Sequence, residues 1–174
     1  MECRRVATLI VMAALCIGIQ LAPRPPNVEF TSLICFLTGF LFGAPFGALL
    51  GALTMFINGF LSPWGFAGII MPFQMLGMAL MGFAGGAYRK LIGNDFSISK
   101  SLNFESACLA AFLTLIYDII TNAGYAVLFN LEIVIVLIAG VWFSMIHVVS
   151  NTVLFGIAFH RLVKIVRSLA GENL

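Results

Sequence analysis

Residues 30–61 read FTSLICFLTGFLFGAPFGALLGALTMFINGFL, without one charged side chain. Two folds compete for this stretch. As a single helix it is about 48 Å long at 1.5 Å per residue, too long for a hydrocarbon core of roughly 30 Å without strong tilt. As a hairpin it turns at Gly43-Ala44-Pro45 and crosses twice in short arms. The choice sets the direction of every later segment, so the basic residues can arbitrate. Cytoplasmic loops are enriched in Lys and Arg. The hairpin gives six spans and two cytoplasmic termini, and eight of the nine basic residues then lie inside, with only Arg24 outside. The single helix would put Arg89, Lys90 and Lys100 outside. The hairpin is the better reading.

The rest of the chain agrees with a membrane setting. Of 174 residues, 61% are hydrophobic and 9% charged, against roughly 25% charged in a soluble domain. Mean hydropathy is +1.10. Sixteen charges cannot cover the surface of a soluble domain of this size. A cytosolic enzyme, a secreted disulfide domain, a nucleic-acid binder and a disordered tail are all excluded. Seventeen Gly and six Pro favour closely packed, broken helices over a barrel of short strands. The expected fold is an all-α, polytopic six-helix bundle forming one domain over residues 1–174. Its spans are Val6–Ala22, Phe30–Gly43, Phe46–Leu61, Ile69–Ala87, Phe104–Phe129 and Glu132–Phe159, followed by a basic cytoplasmic tail. Val6–Ala22 has no small-x-small cleavage site before Pro23 and reads as a span, not a signal peptide. Cys3, Cys16, Cys35 and Cys108 lack CxxC spacing and read as free thiols.

Polar side chains inside a bilayer are costly and turn towards protein or a cavity. Thr114, Asp118, Thr121, Asn122 and Tyr125 share one helical face of span 5. Ser144, His147, Ser150 and Asn151 fall mostly on one face of span 6. Asp118 lies ten residues from Leu128, about 15 Å deep, and Ser144 reaches a similar depth in the antiparallel neighbour. Matching depths point to a shared wet pocket. Interhelical hydrogen bonds that only hold the bundle are the plainer alternative.

Outer loops add candidates. Asn27 and Glu29 end the stiff segment Pro23–Glu29, otherwise a simple linker. Asn58 and Trp64 sit in a Gly- and Pro-hinged aromatic loop, where Trp64 is either an interfacial anchor or a ligand lid. Gln74 follows Pro72 at the start of span 4. Together these make a small-molecule site of aromatic walls and a few polar groups. His147 has no second His or Cys spaced to join it on a metal. No cofactor, GxSxG, HExxH or GxxxxGK[ST] sequence is present, so neither catalysis nor ATP hydrolysis is expected of this chain. Small residues mark close packing: Gly39 with Gly43, Gly47 with Gly51, Gly82 with Gly86, and Ala7, Ala14 and Gly18 along span 1.

Several strings resemble the substrate-binding S components of energy-coupling factor (ECF) transporters. They are Arg4–Leu15, Pro26–Phe30, Leu37–Ala48, Pro72–Gly77, Tyr117–Asn122 and His147–Thr152, spread over nearly the whole chain. The resemblance implies a subunit of the cell membrane that captures a vitamin or related micronutrient from outside. It implies partners too, a transmembrane coupling protein and two ATPases, with the S component toppling to deliver its load. Substrate residues in that family lie in the outer halves of spans 4 to 6 and in outer loops. The implied site is Asn27, Glu29, Asn58, Trp64, Gln74, Asp118, Asn122, Tyr125, Ser144, His147 and Asn151. Docking there uses an AxxxA-like face of span 1. Here strict AxxxA is absent, and Ala7, Ala14 and Gly18 stand in its place. Two other readings stay open. One is a structural membrane protein of the rod-shape-determining MreD type, and the other is an autonomous carrier driven by an ion gradient.

Overall fold

The computed structural model describes residues 2–23, 25–62, 65–93 and 100–170. They form six α-helices: α1 (Glu2–Leu21), α2 (Thr31–Phe42), α3 (Ala44–Leu61), α4 (Met71–Ile92), α5 (Lys100–Leu128) and α6 (Ile133–Ala170). A short 3-10 turn, Gly68–Ile70, leads into α4. Ala44–Leu61, Gly68–Ile92, Leu102–Leu128 and Ile133–Leu169 are long and apolar enough to cross a membrane. Val6–Leu21 and Thr31–Phe42 are shorter apolar helices.

The stretch 30–61 is a helical hairpin. Gly43 alone separates α2 from α3, at φ 109°, in the region that favours glycine. Pro45 falls in the first turn of α3, where its missing N–H costs nothing. All twelve residues of α2 are buried. It is the central rod of the bundle, with α1, α3, α4 and α6 packed around it. That explains a helix with no polar stripe: every side faces protein.

The hairpin reunites the glycine pairs that its turn separates in sequence. A Cβ on Gly47 would overlap the backbone of Gly39, and Cβ atoms on either would overlap the carbonyl oxygen of Gly82 in α4. Further along α4, Gly85 meets the Phe36 carbonyl and Gly86 meets the backbone of Ala44. Gly51 closes the row against Met78. Between helices in lipid there is little hydrophobic drive, so backbone approach of this kind is a main source of cohesion.

At the end of the bundle where α2 finishes, aromatic rings fill the core. Phe36 lies 5.4 Å from both Phe155 and Phe159 and 6.1 Å from Tyr88. The Tyr88 hydroxyl donates to Glu105 at 2.6 Å. Helix α1 buries a single stripe, Met12, Cys16 and Gln20, four residues apart. Cys16 and Cys35 are free thiols with their Sγ atoms 3.8 Å apart. The opposite face of α1, including Val6, Ile10, Val11 and Leu15, is exposed. Ala7, Ala14 and Gly18 are exposed too, and nothing lies within 4 Å of a Cβ built on Gly18.

Several helices reach beyond the expected spans: α4 ends at Ile92, past Ala87, and α5 starts at Lys100, ahead of Phe104. Helix α1 starts at Glu2, ahead of Val6, and α6 runs without a break to Ala170, past Phe159. In α6, Val163 and Val166 carry the buried stripe onward beyond Phe159, so the basic tail is the last part of the same helix.

The glycine row gives a direct test. Gly82→Ala forces two backbones apart and should destabilise the protein by about 1–3 kcal/mol. Gly18→Ala, facing open space, should change stability by less than about 0.5 kcal/mol. Thermal unfolding of the two variants in detergent measures both.

Candidate functional site

The helices alternate in direction, so the ends of α1, α3 and α5 meet the beginnings of α2, α4 and α6. A cavity of about 600 Å³ opens among them. Eight of the residues singled out in the sequence line it: Asn27, Glu29, Asn58, Gln74, Asp118, Asn122, Ser144 and His147. Three others do not. Asn151 is fully buried one turn beneath His147, where its amide nitrogen donates to Thr114 at 3.0 Å. Tyr125 is 44% exposed and packs on Phe129 at 4.5 Å, turned away from the cavity. Trp64 lies outside the described residues.

The floor of the cavity is an ionisable trio. His147 Nδ1 lies 2.8 Å from Asp118 Oδ1, and its Nε2 lies 3.4 Å from Glu29 Oε1. All three side chains are buried. The Ser32 hydroxyl donates to the same Glu29 oxygen. Tyr117 packs edge-on against the imidazole at 5.6 Å. Each ring nitrogen faces a carboxylate oxygen, so a doubly protonated imidazolium satisfies both bonds at once. The carboxylates take opposite sides of the ring and do not converge on one point. Among the described residues, no group of three or more His, Cys, Asp or Glu side chains is placed to hold a metal ion.

The connection from α1 to α2 closes over one side. Asn27 adopts φ 59°, a left-handed conformation that asparagine tolerates. Its amide nitrogen donates to the Phe143 carbonyl at 2.9 Å, and its own carbonyl accepts from Ser150 at 3.0 Å. This loop is therefore pinned to α6, which delivers Glu29 to His147. Across the mouth, Ala67 N–H donates to the Gly59 carbonyl at 2.9 Å, and Phe60 packs on Phe66 at 5.4 Å.

Thr121, on the polar face of span 5, lines the cavity too, as do residues that the sequence reading did not assign to the site: Gln20, Met55, Phe66, Tyr117 and Phe143. A signal existed for Gln20, the amide nearest the end of an otherwise apolar helix; it now accepts from Thr31 at 2.5 Å. Tyr117 and Phe143 gave none, because an aromatic beside a polar face is equally at home against lipid.

Over residues 2–167 the chain matches the family described as ECF-type riboflavin transporter, S component. The chain belongs to this family. ECF-type S components are membrane-spanning parts of transporters, not enzymes, and the apolar helices described above fit a multi-pass membrane protein. Neither curated proteins nor solved structures gave a match.

Removal of the central imidazole tests whether the trio is one unit. His147→Leu strands two buried carboxylates and should cost about 3–5 kcal/mol. Adding Glu29→Gln and Asp118→Asn to that variant should restore most of the loss. Thermal unfolding of the single and triple variants gives the comparison.

Proposed function

We propose that this protein is the substrate-binding subunit of an ECF-type importer in the cell membrane, and that riboflavin or a close flavin relative is its cargo. The observation that carries the reading is the 600 Å³ cavity with amides and carboxylates in its wall, in a chain of the riboflavin S-component family. Its size falls within the roughly 300–1,000 Å³ range of small-molecule sites. Flavin chemistry suits the lining. The flat tricycle matches Tyr117, Phe66, Phe143 and Met55, while its ring carbonyls and ribityl hydroxyls suit Asn27, Asn58, Gln74, Asn122 and Ser144. Riboflavin is neutral, so Glu29 and Asp118 do not repel it. Tyr125 lies outside the cavity, and Asn151 supports its floor from beneath.

In this reading all six helices span, both termini are cytoplasmic and the cavity opens outward. Arg89, Lys90, Arg161, Lys164 and Arg167 then gather at the inner end, as the distribution of basic residues requires. The chain carries no ATP-binding sequence. Energy comes from two ATPase subunits through a transmembrane coupling protein. The exposed stripe of Ala7, Ala14 and Gly18 is the docking face for that protein, since small side chains admit a partner helix closely.

Riboflavin titrated into the purified protein should lose its fluorescence at one equivalent. A protein that leaves riboflavin free, or co-purifies with a different vitamin, overturns the substrate assignment. Separately, Ala14→Leu with Gly18→Leu should abolish co-purification of the coupling protein while riboflavin binding is retained. Retained co-purification would remove α1 as the docking face.

A further inference from the structure

Three acceptor oxygens of cavity-lining residues have no hydrogen-bond partner among the described residues: Asn58 Oδ1, Gln74 Oε1 and Asp118 Oδ2. The two amides can turn over and present nitrogen instead. A carboxylate has no such freedom, so Asp118 is the one obligate acceptor of the three. Its orientation is also fixed. Oδ1 is held by His147 at 2.8 Å, the far ring nitrogen is held by Glu29 at 3.4 Å, and Ser32 donates to that glutamate. Asp118 is 8% exposed, and a buried acceptor without a donor is costly wherever water cannot reach it.

Position along the helices says which part of a substrate arrives there. Asp118 is ten residues from the end of α5, about 15 Å down, beside Tyr117, whose hydroxyl meets Met55. Tyr117 and Met55 meet at this depth, whereas Asn58 and Ser62 lie one and two turns nearer the mouth along α3. A ring system belongs at the bottom and a flexible polyol at the top.

We propose that Asp118 Oδ2 is the specificity-determining acceptor for a ring N–H of the substrate, with His147 and Glu29 as the positioning residues that aim it. With Oδ1 engaged by His147, Oδ2 is the oxygen left to meet the substrate. This rests on the flavin reading, and in oxidised riboflavin the matching group is the imide N3–H, the one N–H of the tricycle. Among its described residues the lining has two carboxylates and no Lys or Arg, and the one imidazole faces Oδ1 and Glu29, so Oδ2 is left open to the substrate.

The experiment compares riboflavin with N3-methylriboflavin by fluorescence titration of the wild type, Asp118→Asn and Glu29→Gln. The wild type should prefer riboflavin by about ten- to a hundredfold, the worth of a hydrogen bond to a charged group. Asp118→Asn should weaken riboflavin by a similar factor while leaving N3-methylriboflavin within about twofold, a coupling that only a direct contact produces. Glu29→Gln should narrow the same preference to a smaller degree. Equal binding of the two flavins by the wild type overturns the proposal without a variant. So does an Asp118→Asn protein that loses both flavins equally or neither. If the wild type binds no flavin at all, the flavin reading itself fails.

Discussion

Backbone contact between α4 and the α2–α3 hairpin is the constraint on which the rest of this structure depends. At Gly39, Gly47, Gly82, Gly85 and Gly86 there is no room for even a methyl group between helices. A bilayer offers little reward for burying one apolar helix against another, so this closeness supplies dispersion contact that larger side chains would prevent. Once the three helices are locked, α2 is enclosed, and α1, α5 and α6 pack outside it. The cavity follows from the same geometry. Helix α2 has only twelve residues, about 18 Å of rise, and starts well below the cavity-side ends of α4 and α6. The space above its first turn is filled by a loop carrying Glu29, not by a continuing apolar helix.

Much of this was legible in the chain. Pro45 behind Gly43 offered the turn, and the distribution of Lys and Arg along the chain chose the hairpin over one long helix. Helical periodicity put Asp118 and His147 on facing stripes, and they do meet. The hidden parts depended on partners distant in sequence. Nothing local shows that Glu29 reaches a histidine 118 positions later, because that contact depends on Asn27 fastening the loop to α6. Periodicity also groups residues without telling how far a cavity extends along their face. Asn151 shares the stripe of His147 but lies where α5 and α6 have closed together, and Tyr125 lies where α5 has already passed the opening. The pairing of Gly39 with Gly47 was likewise concealed by the turn between them.

Burying two carboxylates and an imidazole has a cost that apolar side chains would avoid. What the arrangement supplies is registration. It ties the α1–α2 loop, α5 and α6 at one point, within a bundle whose lipid-facing surfaces specify little about rotation or sliding. Asn151 with Thr114, one turn further down, and Asn103 with the His160 backbone near the other end, set α5 against α6 along most of their length. The cavity wall is thus formed by a pair of helices with a fixed relative position.

Unequal helix lengths have a consequence for the surrounding lipid. From Ile133 to Ile157, exposed apolar residues recur along α6 over about 37 Å, longer than a hydrocarbon core of roughly 30 Å. Apolar α1, from Val6 to Leu21, covers only about 24 Å. The hydrophobic girdle is therefore taller on one flank than on the other. A bilayer meets such a girdle by thinning at the short side or by letting the long helix lean, and each ångström of mismatch costs a fraction of a kcal/mol. Membrane thickness thereby becomes a mechanical variable acting on the tilt of the whole molecule.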